Sequence, residues 1–206
     1  MNYAIYAACC WSYFDKYASV LRKSAERFGK AVEIHAVSQA QQTEEDLHAL
    51  RLQRLPAVLR QYDGLLVTDV DVIINNDFDW SDFDGVNLSC VLTKTHLDVE
   101  IVVGGCFFLR NNEFGHDFVD RVIDFYPHFN QTFQDRHKTG KWYPMGDPAE
   151  MALGLAAKDM GYHDLPRPQY FDAECLPGTS VWAPMGRSCP DNSPWHDEYR
   201  RLLKAS

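Results

Sequence analysis

The chain opens with an apolar run, "NYAIYAAC" (2–9), the length of one strand, and then changes period. Over "FDKYASVLRKSAERFGK" (14–30), Phe14, Ala18, Leu21, Ala25 and Phe28 fall three or four positions apart, which predicts a helix closed by Gly29. "AVEIHAV" (31–37) predicts a second strand. "TEEDLHALRLQRLPAVLRQY" (43–62) reads as a helical stretch in which Pro56 forces a break or a new start, and "GLLVTDV" (64–70) as a third strand. This βαβαβ order predicts a parallel sheet with helices on its faces. Beyond residue 84 the pattern shifts: "GVNLSCVLT" (85–93) and "VEIVVGGCFFLRNN" (99–112) are strands with no clear helix between them, so an antiparallel portion is expected. "NEFGHDFVDRVIDFY" (112–126) predicts an amphipathic helix on Phe114, Phe118, Val122 and Phe125. A further helix is expected in "GDPAEMALGLAAKDMGY" (146–162), with Asp147 as N-cap, Pro148 in its first turn and Gly161 at its end. The last 45 or so residues read as an ordered wrapping tail with a short helix around "HDEYRRLL" (196–203).

Within this pattern "GLLVTDVDVIINND" (64–77) stands out, because Asp69 and Asp71 end an apolar run suited to burial. Positions two apart share a face, and two carboxylates that close repel unless something positive lies between them. Ligands of such sheets sit in the crevice beyond the carboxyl ends of the strands, which is where this pair falls. Carboxylate oxygens suit hard divalent ions such as Mn²⁺ and Mg²⁺, which leave positions open for substrate phosphates.

Composition narrows the choices. At 206 residues, 46% of them hydrophobic, the chain is sized for one domain with its own core. A formal charge of −9 repels phosphate backbones and anionic membranes, which argues against nucleic acid as a partner. No apolar run approaches the roughly 18 to 20 residues of a membrane span, and the first ten residues lack the basic flank of a signal peptide. The six cysteines (9, 10, 90, 106, 175 and 189) form no CxxC pair and lie mostly in apolar stretches, so they read as reduced core residues of a cytoplasmic protein.

An apolar strand ending in Asp-x-Asp, then "VVGGCFFLRNN" and then the acid-capped "GDPAEMAL", resembles the GT-A glycosyltransferases, in particular the branch containing glycogenin and the bacterial lipopolysaccharide galactosyltransferases. The resemblance spans roughly residues 3 to 161. It implies an α/β fold: a single Rossmann-like GT-A domain over 1–206, with a mixed, mainly parallel central sheet flanked by helices. Residues 1–84 would form the nucleotide-binding half and 85–206 the sugar and acceptor half. It further implies a Mn²⁺- (or Mg²⁺-) dependent hexosyl transfer from a nucleotide sugar, UDP-linked, to a hydroxyl acceptor. By position, Asp69 and Asp71 would hold the metal, with Asp69 also near the ribose; Ala7 and Ala8 would border the base, Gly104 and Gly105 the donor sugar, and Asp147 the reacting centre or the acceptor hydroxyls. Arg51 or Arg54 falls where the family often has a donor-binding basic residue, and Arg54 is carried forward.

The tail departs from that branch. Its His-x-x-Gly-x-x-Lys-Pro-Trp pattern supplies a third metal ligand and a phosphate-binding lysine; here "VWAPMGRSCPDNSPWHDEY" has Ala183 in place of the histidine and Ser193 in place of the lysine. His196, as metal ligand, and Arg187 stand in by residue type alone. Two alternatives remain open: a GT-A-like module that binds sugar or protein without turnover, and a haloacid-dehalogenase-type phosphatase, whose strand also ends in Asp-x-Asp. That superfamily follows the motif with Gly-Thr, where this chain has Val72-Ile73. The acidic stretch "NNDFDWSDFD" (75–84) lacks the glycine and closing glutamate of an EF-hand and reads as a solvated loop.

Overall fold

The computed structural model describes residues 1–9, 14–36, 44–94, 100–138, 148–165, 178–182 and 193–204. Strands β1 (Tyr3–Cys9), β2 (Ala31–Ala36), β3 (Gly64–Thr68), β5 (Leu88–Lys94), β6 (Glu100–Arg110) and β7 (His163–Asp164) form one sheet in the order β2-β1-β3-β6-β5-β7. β1 pairs in parallel with β2 and β3, and β5 with β7; β6 pairs antiparallel with β3 and β5. β6 therefore runs against the rest of the sheet, and the expected mixed, mainly parallel arrangement is found. Two short strands, β4 (Ile73–Ile74) and β8 (Val181–Trp182), pair separately, so the tail lies against the chain just beyond Asp71.

Every residue of β1 and β3 is buried, as expected of central strands covered on both faces, whereas the edge strand β2 presents Glu33 and His35, paired at 2.9 Å. One face of the sheet carries Ile5, Ala7, Cys9, Leu66 and Phe108 against helix α1 (Ser19–Glu26) and the loop residues Phe78 and Phe83. The other carries Ala4, Tyr6, Leu65, Val67 and Phe107 against α2 (Glu44–Leu59), α3 (Glu113–Lys138) and α4 (Pro148–Met160).

Several element boundaries differ from the sequence reading. The first helix begins as a π turn (Phe14–Ala18) and is α-helical only over Ser19–Glu26; Gly29, at φ 65°, turns the chain out. The third strand stops at Thr68, so the aspartates lie beyond it. Pro56 does not break α2. It sits in the last turn, where a missing N–H removes a single ladder bond and tertiary packing of Leu52, Leu55 and Leu59 holds the helix together. Pro127 likewise lies inside α3, which runs twelve residues past the expected end at 126 (126 + 12 = 138) because extending an established helix is far easier than starting one. Asp147 lies outside the described residues, while Pro148 opens α4 and Gly161, at φ 89°, follows its end. The terminal helix, α5 (Pro194–Lys204), is slightly longer than expected.

The start of α3 is set by close contact. The Asn112 side chain accepts the Gly115 N–H at 2.9 Å as an N-cap, and a Cβ on Gly115 would collide with the Arg110 carbonyl at the end of β6. Gly115→Ala is expected to destabilise the fold by about 2 kcal/mol despite alanine's higher helix propensity, read as a lower urea midpoint with an unchanged slope.

Candidate functional site

Beyond β3 the chain continues Thr68-Asp69-Val70-Asp71-Val72-Ile73-Ile74. Val70 and Val72 are buried in the α1-side core, and Asp69 and Asp71, between them, stay partly exposed. The turn these valines anchor leaves the two carboxyl groups less buried, and close enough for the charge of one to act on the other, at the carboxyl end of the sheet. The segment is then held from several sides. The Ile74 N–H donates to Ser24 Oγ at 3.1 Å and its carbonyl accepts from Arg27 Nη2 at 2.7 Å, both from α1 or its end. The Asn75 N–H donates to the Ser180 carbonyl at 2.7 Å, and Trp195 Nε1 donates to the Asp71 carbonyl at 3.1 Å.

The two acids sit in different electrostatic settings. Asp69 accepts from Arg51 Nη1 at 3.2 Å; the Arg51 side chain, on α2, is only 8% exposed. Asp71 has its carboxyl pushed up to about 7, first by burial and second by the charge of Asp69, with Lys16 acting in the opposite sense. Asp69 also acts across the sheet. The buried Cys106 thiol of β6 is raised to about 12, by burial and then by Asp69. Two hydroxyls nearby, Tyr6 Oη and Thr68 Oγ1, are buried without a hydrogen-bond partner among the described residues. The Tyr6 phenol is pushed up to about 12 by burial despite Arg51 and Arg54. A partly buried carboxyl beside a second carboxylate, with its positive neighbours too weak to hold it at the ordinary value, is a donor set that fits a hard divalent cation.

The other expected site residues are placed as follows. Ala7 and Ala8, near the end of β1, face the two cores on opposite sides of the sheet, and Ala7 pairs with Thr68. Arg54 is exposed on α2, and the arginine that reaches Asp69 is Arg51, one helical turn earlier. Gly104 and Gly105 lie in β6 where its pairing with β5 shifts register, between Cys90↔Phe107 and Leu92↔Val102. His196 is in the first turn of α5, partly buried and edge-on to Trp195 with centroids 5.0 Å apart. Among the described residues no group of three or more His, Cys, Asp or Glu side chains is gathered, so His196 does not complete a three-ligand set with the aspartates there. Asp147, Ala183 and Arg187 lie outside the described residues, and Ser193 is buried.

Cys9, Cys90 and Cys106 are buried; the other three cysteines lie outside the described residues. The acidic loop has structural uses. Asp77 pairs with Lys30 at 2.8 Å, and Asp79 caps a short 3₁₀ turn (Trp80–Phe83) by accepting the Ser81 N–H at 2.9 Å. Sequence reasoning missed Ser24, Arg27 and Trp195. The Trp195 contact joins residues 124 apart, and no local pattern encodes such a pairing.

No protein-family model matches the chain. No curated protein matches it by sequence. Solved structures do match in fold. A glycosyltransferase involved in the glycosylation of the major capsid of PBCV-1 aligns at a TM-score of 0.57 and 10% identity over 98% of this chain and 99% of that one. The apo form of the glycosyltransferase GlyE of Streptococcus pneumoniae TIGR4 aligns at 0.59 and 13% identity, over 99% of this chain and 63% of GlyE. The bifunctional glycosyltransferase WbbM aligns at 0.58 and 9% identity, over 100% of this chain and 50% of WbbM. The chain thus spans the full length of the first and less than two thirds of the other two. These likenesses establish a GT-A-like α/β architecture. Among the described residues, no helix is long and apolar enough to cross a membrane.

The raised carboxyl of Asp71 fixes the sign of a pH effect. Between the ordinary value of 3.8 and about 7 the folded protein keeps a proton that the unfolded chain has lost, so this group's stabilising contribution falls as pH rises through that window. In metal-free protein, Asp71→Asn is expected to raise Tm by roughly 3 to 10 °C near pH 8 and by less than about 2 °C near pH 5. Thermal melts of both proteins across that range check it.

Proposed function

We propose that the protein is a metal-dependent glycosyltransferase that moves a sugar from a UDP-linked donor to a hydroxyl acceptor. The observation that carries this reading is the Asp69–Asp71 pair, on the turn anchored by Val70 and Val72 at the carboxyl end of a GT-A-like sheet, with one acid partly buried and incompletely compensated. The fold matches to glycosyltransferases favour sugar transfer over phosphate hydrolysis.

In this reading Asp69 and Asp71 hold Mn²⁺ or Mg²⁺. Held there, such an ion would supply Lewis-acid and electrostatic stabilisation of the negative charge that develops on the departing nucleotide. Arg51 fixes the orientation of Asp69 by a 3.2 Å contact from a buried side chain. Gly104 and Gly105, at a register shift in β6, would allow the backbone to approach the donor sugar closely. The end of β1 at Ala7 and Ala8 borders the base, and Arg54 supplies positive charge at the nucleotide side. Asp147 orients the acceptor hydroxyl, and His196 is not gathered with the two aspartates, so it is not carried as a ligand. Much of the rate would come from holding the acceptor oxygen near the anomeric carbon.

Mn²⁺ together with UDP should raise Tm by several degrees, since a ligand at about 100 times its Kd stabilises the folded state by about 2.7 kcal/mol. Asp71→Asn should abolish that shift; an unchanged shift in this variant removes Asp71 as a ligand. Incubation with a panel of UDP-sugars should release free UDP in the presence of Mn²⁺ and not with chelator. Binding without release from any donor would replace the enzyme by a sugar-nucleotide binding module.

A further inference from the structure

The Asp71 peptide lies between two strands. β3 ends at Thr68 and β4 begins at Ile73, so neither ladder takes up the Asp71 carbonyl. Its donor comes from the far end of the chain: Trp195 Nε1, at 3.1 Å. The indole is 4% exposed and packs with Val20 of α1, Ile73 of β4, Trp182 of β8 and Leu202 of α5. It stacks on Tyr199, with centroids 5.0 Å apart and planes 12° apart. A ring enclosed on so many sides holds its N–H in one direction.

A second bridge runs in parallel. Glu198, also on α5, pairs with Arg27 Nη1 at 2.6 Å, and the other arm of the same guanidinium donates to the Ile74 carbonyl at 2.7 Å. The helix is moored to α1 and the π turn before it by Lys23 Nζ to the Leu202 carbonyl at 3.1 Å and by Tyr199 Oη to the Lys16 carbonyl at 3.0 Å. The terminal helix therefore reaches the acidic segment directly at Asp71, through Trp195, and indirectly at Ile74, through Arg27.

We propose that the terminal helix positions the acidic turn: Trp195, and the Glu198–Arg27 pair behind it, fix the Asp71 and Ile74 peptides and thereby set the affinity of the Asp69–Asp71 pair for a divalent cation with its nucleotide. Trp195 is a positioning residue, acting on the carboxylate of Asp71 through that residue's own peptide. The direction of the Asp71 Cα–Cβ bond depends on how this peptide is turned, and cation affinity falls steeply when a carboxylate is displaced. The affinity part of the proposal rests on the function proposed above; the part concerning order in the turn does not.

Three variants separate positioning from mere docking. Trp195→Phe keeps an aromatic ring and deletes the indole N–H, Glu198→Gln weakens the second bridge, and Tyr199→Phe removes only a mooring bond. Hydrogen exchange of metal-free protein is read over residues 69–75, and Mn²⁺·UDP affinity by calorimetry. Trp195→Phe is expected to speed exchange of the Val72 amide, which shares the Asp71 peptide, and to weaken Kd, each by about tenfold. Glu198→Gln should act in the same direction by a smaller factor at 73–75, and Tyr199→Phe should lower Tm without changing either reading. Unchanged exchange and Kd in both Trp195→Phe and Glu198→Gln overturn the proposal, as does an equal effect in Tyr199→Phe. If Trp195→Phe fails to fold, Glu198→Gln decides by the same criteria. Wild-type protein that binds no Mn²⁺·UDP overturns the proposed function instead, and the exchange data then decide the positioning claim alone.

Discussion

Everything at the candidate site depends on a pair of valines. Val70 and Val72 are driven into the α1-side core by the same apolar burial that builds the sheet, and the turn they anchor leaves Asp69 and Asp71 less buried and close enough for the charge of one to act on the other. Carboxylates this close oppose each other, and in a flexible loop they would separate. Here the backbone between them cannot yield without exposing apolar surface. The free energy of core packing is what maintains the electrostatic strain.

The two acids share that strain unequally. Asp69 has a buried guanidinium against it and a large exposed surface; Asp71 is more enclosed, and its carboxyl rises toward neutrality. One acid is thus stabilised as an anion by the protein itself, and the other is left to be stabilised by whatever binds. A site that is costly when empty and relieved when occupied is how folded proteins commonly place binding groups, and the cost is borne by the two cores on either side of the sheet.

How much of this was legible in the sequence follows from the range of each interaction. The alternating strands and helices, the reversal in the second half and the aspartates at a strand end are local patterns, and they could be read. Pro56 misled because propensity rules weigh a residue within its own helix, whereas it sits in a helix supported by packing from outside. Choosing between Arg51 and Arg54 required knowing which side of α2 faces the end of β3. Residues three apart share nearly the same face of a helix, so spacing alone did not separate them; in the fold Arg51 is buried at Asp69 and Arg54 is exposed. Trp195 was beyond reach, since its use lies in a carbonyl at the opposite end of the chain order.

Charge gives the remaining argument for why a cation belongs to the proposed reading. The chain carries a net −9, a field that repels a doubly charged diphosphate from every direction. Among the described residues Arg51 offsets the charge of Asp69, and Lys16 offsets that of an ionised Asp71 only in part. A nucleotide sugar presented to that surface alone would meet like charge at the point where its phosphates must rest. A divalent ion reverses the local sign in an enclosed setting where screening is weak. The acid pair and the acidic composition, which look like obstacles to binding an anion, then become what makes binding conditional on the metal.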